Sequence, residues 1–179
     1  MLATHGGEGL PRWFKPSIAE AMSRHVATQN LFISPQSGGF VDQASGTISL
    51  KRILIPMDLH PPAAPALRAV QEFCRMLTGD TPELHTVHIG ATPLELAKTS
   101  APGSLVPTEI KSGNVVEGIL QAAADFGADL IAMATAGRHG VLDAIRGSTT
   151  ERVLRHATCP VLAIPAVRDR LEPGSSPTA

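Results

Sequence analysis

Tyrosine is absent from this chain, and aromatic residues make up only 3% of it. Proteins that hold single-stranded nucleic acid stack successive bases on aromatic rings, so that kind of platform is excluded. Neither sign of charge is in excess: 15 Lys and Arg against 16 Asp and Glu leave a net charge of −1. A surface that neutralises a row of phosphates needs a basic surplus, so DNA and RNA are not expected partners. Cysteine occurs only at Cys74 and Cys159, on separate predicted elements. Two residues so placed build no disulfide framework and fit a reduced, cytoplasmic compartment. No run approaches the ~18 consecutive apolar residues of a membrane span. No basic segment followed by an apolar one marks an N-terminal signal.

What is present suits a packed domain. Of 179 residues, 43% are apolar and 17% charged, enough for one domain with an appendage. The densest information lies between Met133 and Pro165. An apolar run, Leu130 to Thr135, meets a loop containing Gly137, Arg138, His139 and Gly140. Gly147 then precedes Ser148-Thr-Thr-Glu151, and an amphipathic segment leads to the apolar run Val161 to Ile164. The order is strand, glycine-bearing loop, helix start, helix, strand. Backbone N–H groups at a helix start, approached by a loop without bulky side chains, form an anion site. The expected occupant is the phosphate chain of a nucleotide. Gly147 allows close approach, Ser148 and Thr149 sit at the positive helix end, and Arg138, His139 and Arg146 are the nearest cations.

The chain also repeats itself. At a constant offset of 131, Ala3, Thr4, Gly6, Gly9, Ser17, Glu20, Arg24, His25, Leu31 and Ile33 coincide with Ala134, Thr135, Gly137, Gly140, Ser148, Glu151, Arg155, His156, Leu162 and Ile164. Residues 1–35 are therefore expected to be a copy of the last part of a domain: loop, helix, final strand. Both copies carry Ser-x-x-Glu, the capping-box spacing, in which the serine oxygen and the glutamate carboxylate satisfy two orphan N–H groups. Helices are predicted over 17–26 and 148–157, and strands over Asn30–Ser34 and Val161–Pro165. In the first copy Pro16 stands where Gly147 stands in the second. It removes a donor and adds bulk, so no nucleotide is expected there. Trp13 and Phe14 are expected to form a docking surface.

Residues 36–50 are rich in Gly, Ser and other polar residues and read as a linker with a short hairpin near Gly46. A complete domain is expected over 51–166. Arg52 to Asp58 reads as a buried strand ending in a carboxylate; Ala66 to Leu77, with apolar residues at 67, 70, 73, 74 and 77, reads as a helix. Strands follow over 83–89, 106–112 and 130–135, with helices over 92–98 and 115–126. Such alternation implies an α/β fold, a three-layer sandwich with a five-stranded, mainly parallel sheet and helices on both faces. Residues 167–179 read as a disordered tail.

These residues resemble the universal stress protein family. The likeness is carried by Ile53-Leu-Ile-Pro-Met-Asp58, Val87-His-Ile89, Gly113, Ala128-Asp-Leu-Ile-Ala-Met133 and the final Gly147-Ser148 to Cys159-Pro-Val-Leu162. It covers 51–165 fully and 2–34 in part, as though from a tandem protein whose first domain is largely missing. Members that bind ATP carry Gly, two residues, Gly, nine residues, Gly-Ser. Gly137, Gly147 and Ser148 meet that spacing, while Ala134 stands at the first glycine position. The resemblance implies a cytoplasmic regulatory protein of the stress response that binds adenine nucleotide, ATP with or without Mg²⁺. It puts Asp58 and Ile89 on the adenine side, Met133 and Ala134 near the ribose, and Gly137, Gly147, Ser148 and Thr149 on the phosphates, with Pro56, Arg138, His139 and Gly140 also expected among the cofactor-binding residues. It also implies pairing through the last strand, Val161, Leu162, Ala163 and Ile164, as a homodimer or as an intramolecular pseudo-dimer.

Other readings stand beside these. Asp58 serves either the ligand or the cap of the following helix. His85 and His88, three apart on a strand, face opposite sides of the sheet and share no metal ion. Cys159 reads as a packing residue. No nucleophile, base and orienting group stand together, which argues against an efficient enzyme. A dimeric adaptor without ATP is the alternative, favoured by Ala134; a slow ATPase is a further one, disfavoured by the lack of a lysine in the loop.

Overall fold

A computed structural model describes residues 29–34, 37, 39–58, 61, 64–90, 108–135 and 148–166. The strands are β1 (Asn30–Phe32), β2 (Arg52–Pro56), β3 (Glu83–Ile89), β4 (Thr108–Lys111), β5 (Leu130–Thr135) and β6 (Val161–Pro165). The helices are α1 (Ala64–Thr78), α2 (Val115–Phe126) and α3 (Thr149–His156). The expected helices over 17–26 and 92–98, the tail over 167–179, and Trp13, Phe14 and His60 lie outside the described residues. The strands form one sheet in the order β1-β6-β5-β2-β3-β4. All neighbouring pairs are parallel except β1–β6. The sheet thus has six strands rather than the expected five, because β1 adds to the outer edge of β6.

The apolar runs are strands because both sheet faces are covered. Ile53, Leu54 and Ile55 are successive and fully buried, a pattern that needs a helix on each side. On one face α1 packs Ala66, Val70 and Cys74, one turn apart, against Ile53, Ile55, Leu130 and Leu162. On the other, Val116 and Ile119 of α2 and Val153 of α3 pack against Leu54, Val87, Ile131 and Val161. Each such Leu, Ile or Val, fully buried, contributes about 1.5–3 kcal/mol. The ends of α2 are closed by side chain and backbone. The Asn114 side chain accepts from the Val116 and Glu117 N–H groups. Gly127 takes the left-handed conformation (φ 62°) that ends the helix. Two residues on, Asp129 Oδ2 accepts from the N–H groups of Lys51 (2.9 Å) and Arg52 (2.8 Å), so one carboxylate ties the start of β2 beside the start of β5.

Residues 39–50 are more than a spacer. Asp42 Oδ1 accepts from the N–H groups of Ala44 and Ser45 and holds a turn. Val41 bridges Ile48 in antiparallel fashion, with Gly46 at φ 70° between them. Phe40 and Leu50 are buried, and Phe40 meets Phe73 of α1 edge to face, with ring centroids 6.4 Å apart. The segment therefore contributes two side chains to the α1 side of the core.

The pairing of β1 with β6 carries the symmetry of the repeat. Leu31 lies opposite Leu162, its counterpart at the offset of 131. Asn30 lies opposite Ala163 and Phe32 opposite Val161, and the same offset exchanges these two pairs. The ladder thus has a local two-fold axis at Leu31–Leu162. An unpaired β6 would present a row of open N–H and C=O groups; β1 covers it. Placing aspartates at Leu31 and Phe32 together should unseat β1, since both side chains pack against the core. By light scattering after gel filtration, the wild type should have the mass of one chain, 18.7 kDa, and the double variant a multiple of it. A folded double variant of monomer mass would contradict the role given to β1.

Candidate functional site

The sheet opens at one place. From β2 the chain crosses by α1 to β3 on one side; from β4 it returns by α2 to β5 on the other side of β2. Connections that diverge in this way leave a crevice at the carboxyl ends of the two strands. Here the register widens it. β2 and β5 pair only at Ile53–Leu130 and Leu54–Ile131. Beyond those residues β2 follows β3 as far as Pro56–Val87, and β5 follows β6 as far as Thr135–Pro165. The Thr135 hydroxyl donates to the Ile164 carbonyl (3.4 Å) and the Ala166 N–H to the Thr135 carbonyl (2.8 Å), holding the end of β5 to β6.

The candidate residues that are described gather around this opening. Pro56 ends β2 and Asp58 follows two residues later, exposed. Ile89 is the buried last residue of β3, and Met133 is buried near the end of β5. By strand alternation Pro56, Ile89 and Met133 share the α2/α3 face. Ile89 fits closely beneath α2: a Cβ on Gly118 would stand 2.7 Å from its Cγ1. Ala134 points the other way, its methyl among the residues packed with α1. No non-glycine residue among those described has a positive φ, so the backbone at Ala134 does not require glycine. Ser148 caps α3, its hydroxyl accepting from the Glu151 N–H at 3.3 Å, and Thr149 is the first helical residue. As a crossover helix from β5 to β6, α3 begins at the carboxyl end of the sheet, where the crevice lies. The serine half of the predicted capping box is thus in place, and the buried Glu151 carboxylate also pairs with Arg155 one turn on. Gly137, Arg138, His139, Gly140 and Gly147 lie outside the described residues.

Sequence reasoning weighed His88 only as a metal ligand; the structure puts it beside the crevice. Its Nδ1 donates to the Met57 carbonyl at 3.0 Å, and the ring is buried. His85 is on the opposite face, stacked on Phe126 and bonded to Glu109 at 3.0 Å. That bond, aided by Lys111, holds the Glu109 carboxyl below its ordinary range. Nothing in the spacing of Val87-His-Ile89 signals the Met57 contact, which depends on the β2–β3 register.

Known proteins bear on this arrangement. The pattern that defines the Universal stress protein family matches residues 81–165. That match covers just under half of the chain. A universal stress protein of Methanocaldococcus jannaschii is 39% identical over 62 residues, which is 35% of this chain and 36% of the relative. A universal stress protein structure from Archaeoglobus fulgidus superposes with a TM-score of 0.57 at 26% identity, covering 79% of this chain and 51% of that one. A putative universal stress protein structure from Pseudomonas aeruginosa superposes with a TM-score of 0.51 at 18% identity, covering 90% and 61%. The chain thus spans about half the length of the Archaeoglobus protein and about a third of the Methanocaldococcus one.

Neither thiol of the domain is built to react. Burial pushes Cys74 up to about 11 and Cys159 likewise to about 11, so at neutral pH both stay protonated, and the thiolate is the nucleophile. Two outcomes are expected. Alkylation of the native protein at pH 8 should be much slower than in denaturant. Because the folded thiols titrate above the ordinary value of 9.0, the unfolded chain binds fewer protons between about pH 9 and 11. Their contribution to stability is full below pH 9 and falls through that window, which denaturant titrations of the wild type and a Cys74→Ala/Cys159→Ala variant can separate. Equal pH profiles for the two proteins would contradict it.

Proposed function

We propose that the crevice between the ends of β2 and β5 binds an adenine nucleotide, and that the chain acts as a nucleotide-responsive regulator rather than a catalyst. The observation that carries this reading is the early parting of β2 and β5, after Leu54 and Ile131, at the point where the crossovers diverge and α3 begins. Asp58 supplies an acceptor for the exocyclic amino group of adenine, and Ile89 and Met133 an apolar wall. The start of α3 offers N–H groups and a positive dipole end to phosphate. The match of residues 81–165 to the universal stress protein family supports the same reading. Gly137 and Gly147 give the loop a backbone that can approach the phosphates, and Arg138, His139 and Gly140 complete it. ATP, with Mg²⁺ on its phosphates, is the proposed ligand. Residues 1–35 are read as a partial repeat of the domain's loop, helix and last strand, of which Asn30–Phe32 pairs with β6. A regulatory role is consistent with two thiols that burial keeps protonated.

Isothermal titration of the full chain with ATP and Mg²⁺ tests the proposal. Saturable heat is expected at sub-millimolar ligand; Gly147→Val should abolish it and Asp58→Ala should weaken it about tenfold, the effect of one lost hydrogen bond to a charged group. Absence of heat from the wild type would overturn the nucleotide reading in favour of an adaptor role. Steady release of inorganic phosphate well above background would overturn the regulatory one.

A further inference from the structure

His88 is a buried imidazole that the proposed binding site does not itself use. It is 8% exposed, and a polar side chain taken out of water needs a reason to be there. Its hydrogen bond is informative. The Met57 carbonyl can only accept, so Nδ1 carries the proton in this bond. The bond lies just beyond Pro56–Val87, the last paired residues of β2 and β3. The other end of Met57 is held as well, its N–H donating to the Val87 carbonyl at 2.7 Å. Met57 is therefore gripped at both N–H and C=O, and the next residue on the chain is Asp58. Gly90 belongs to the same unit. A Cβ there would stand 2.5 Å from His88 Nε2 and 3.1 Å from Cε1, so any larger residue would push the ring off Met57. The φ of Gly90 is not in the left-handed region; space, not backbone conformation, calls for glycine here.

We propose that His88 is a positioning residue: by holding the Met57 carbonyl, in the space that Gly90 leaves, it fixes the peptide that presents Asp58 to the crevice, and so sets the preference for adenine over guanine. The inference rests on the nucleotide reading of the crevice. Its chemistry is direct. A carboxylate accepts from the amino group of adenine and repels the carbonyl oxygen at the corresponding position of guanine. That discrimination needs the carboxylate at a fixed place, since a misplacement of about 1 Å loses a hydrogen bond. Without His88 the Met57 carbonyl loses this donor, and the peptide that carries Asp58 is placed less firmly.

The test uses the full chain and four proteins: wild type, His88→Leu, His88→Asn and Gly90→Ala. Asparagine keeps a donor near the place of Nδ1; leucine keeps the bulk without it; Gly90→Ala displaces the ring without deleting it. Two quantities are read. The first is the carbonyl carbon resonance of Met57 in ¹³C-labelled protein, which should move upfield in His88→Leu and Gly90→Ala and return towards wild type in His88→Asn. The second is the ratio of ATP to GTP affinity, which should fall about tenfold in His88→Leu and Gly90→Ala and be largely restored in His88→Asn. A merely structural histidine would lower both affinities together and leave the ratio alone. An unchanged ratio in variants whose Met57 resonance has moved overturns the positioning role while sparing the nucleotide site. Absence of nucleotide binding by the wild type overturns the site reading, and the positioning role falls with it.

Discussion

The parting of β2 from β5 is the constraint on which the rest of the molecule turns. Two strands begin side by side, tied by the Asp129 carboxylate to the N–H groups of Lys51 and Arg52, and pair for only two residues. Each then follows a different neighbour. β2 stays with β3, and β5 stays with β6. The helices that leave them go to opposite faces, α1 to one and α3 to the other. A cleft at the carboxyl ends is the geometric result, with Asp58 on one lip and the start of α3 on the other.

The buried layers keep that cleft open and in place. Both sheet faces are covered, so the strands cannot slide by one residue without turning a row of Leu, Ile and Val from one helix layer to the other. The outer edge at β6 is covered by β1, in a register centred on Leu31 and Leu162. A segment that repeats the last strand of the domain thereby occupies the edge of that strand. The arrangement is isologous pairing within a single chain, and it relieves β6 of the open edge that parallel sheets otherwise carry.

Much of this was legible in the sequence, for identifiable reasons. The runs at 53–55, 130–135 and 161–165 announce strands buried on both faces, and the i, i+3, i+4 spacing in Ala66–Leu77 announces α1. Gly127 marks the end of α2, and Ser148 the start of α3. The gapless repeat pointed to the pairing of Asn30–Phe32 with β6. Other features were hidden because they depend on register rather than on local pattern. Phe40 and Leu50 sit in a polar stretch, and only the path of the chain shows that they reach α1. The sixth strand follows from where β1 docks. The contact of His88 with Met57 joins residues 31 apart, and no spacing rule reports it. Ala134, a departure from glycine that in the sequence favours a role without ATP, directs its methyl to the α1 layer and has no positive φ.

The central claim is that the cleft at the β2–β5 junction is where a nucleotide binds. Amide chemical shifts of ¹⁵N-labelled full chain, followed as ATP and Mg²⁺ are added, test it most directly. The account predicts saturable shifts confined to Asp58, Ile89, Met133, Ala134, Ser148 and Thr149 and their neighbours, with Asn30–Phe32 and β4 unmoved. Shifts centred on β1, β4 or the exposed side of α1, or none at all, would contradict it.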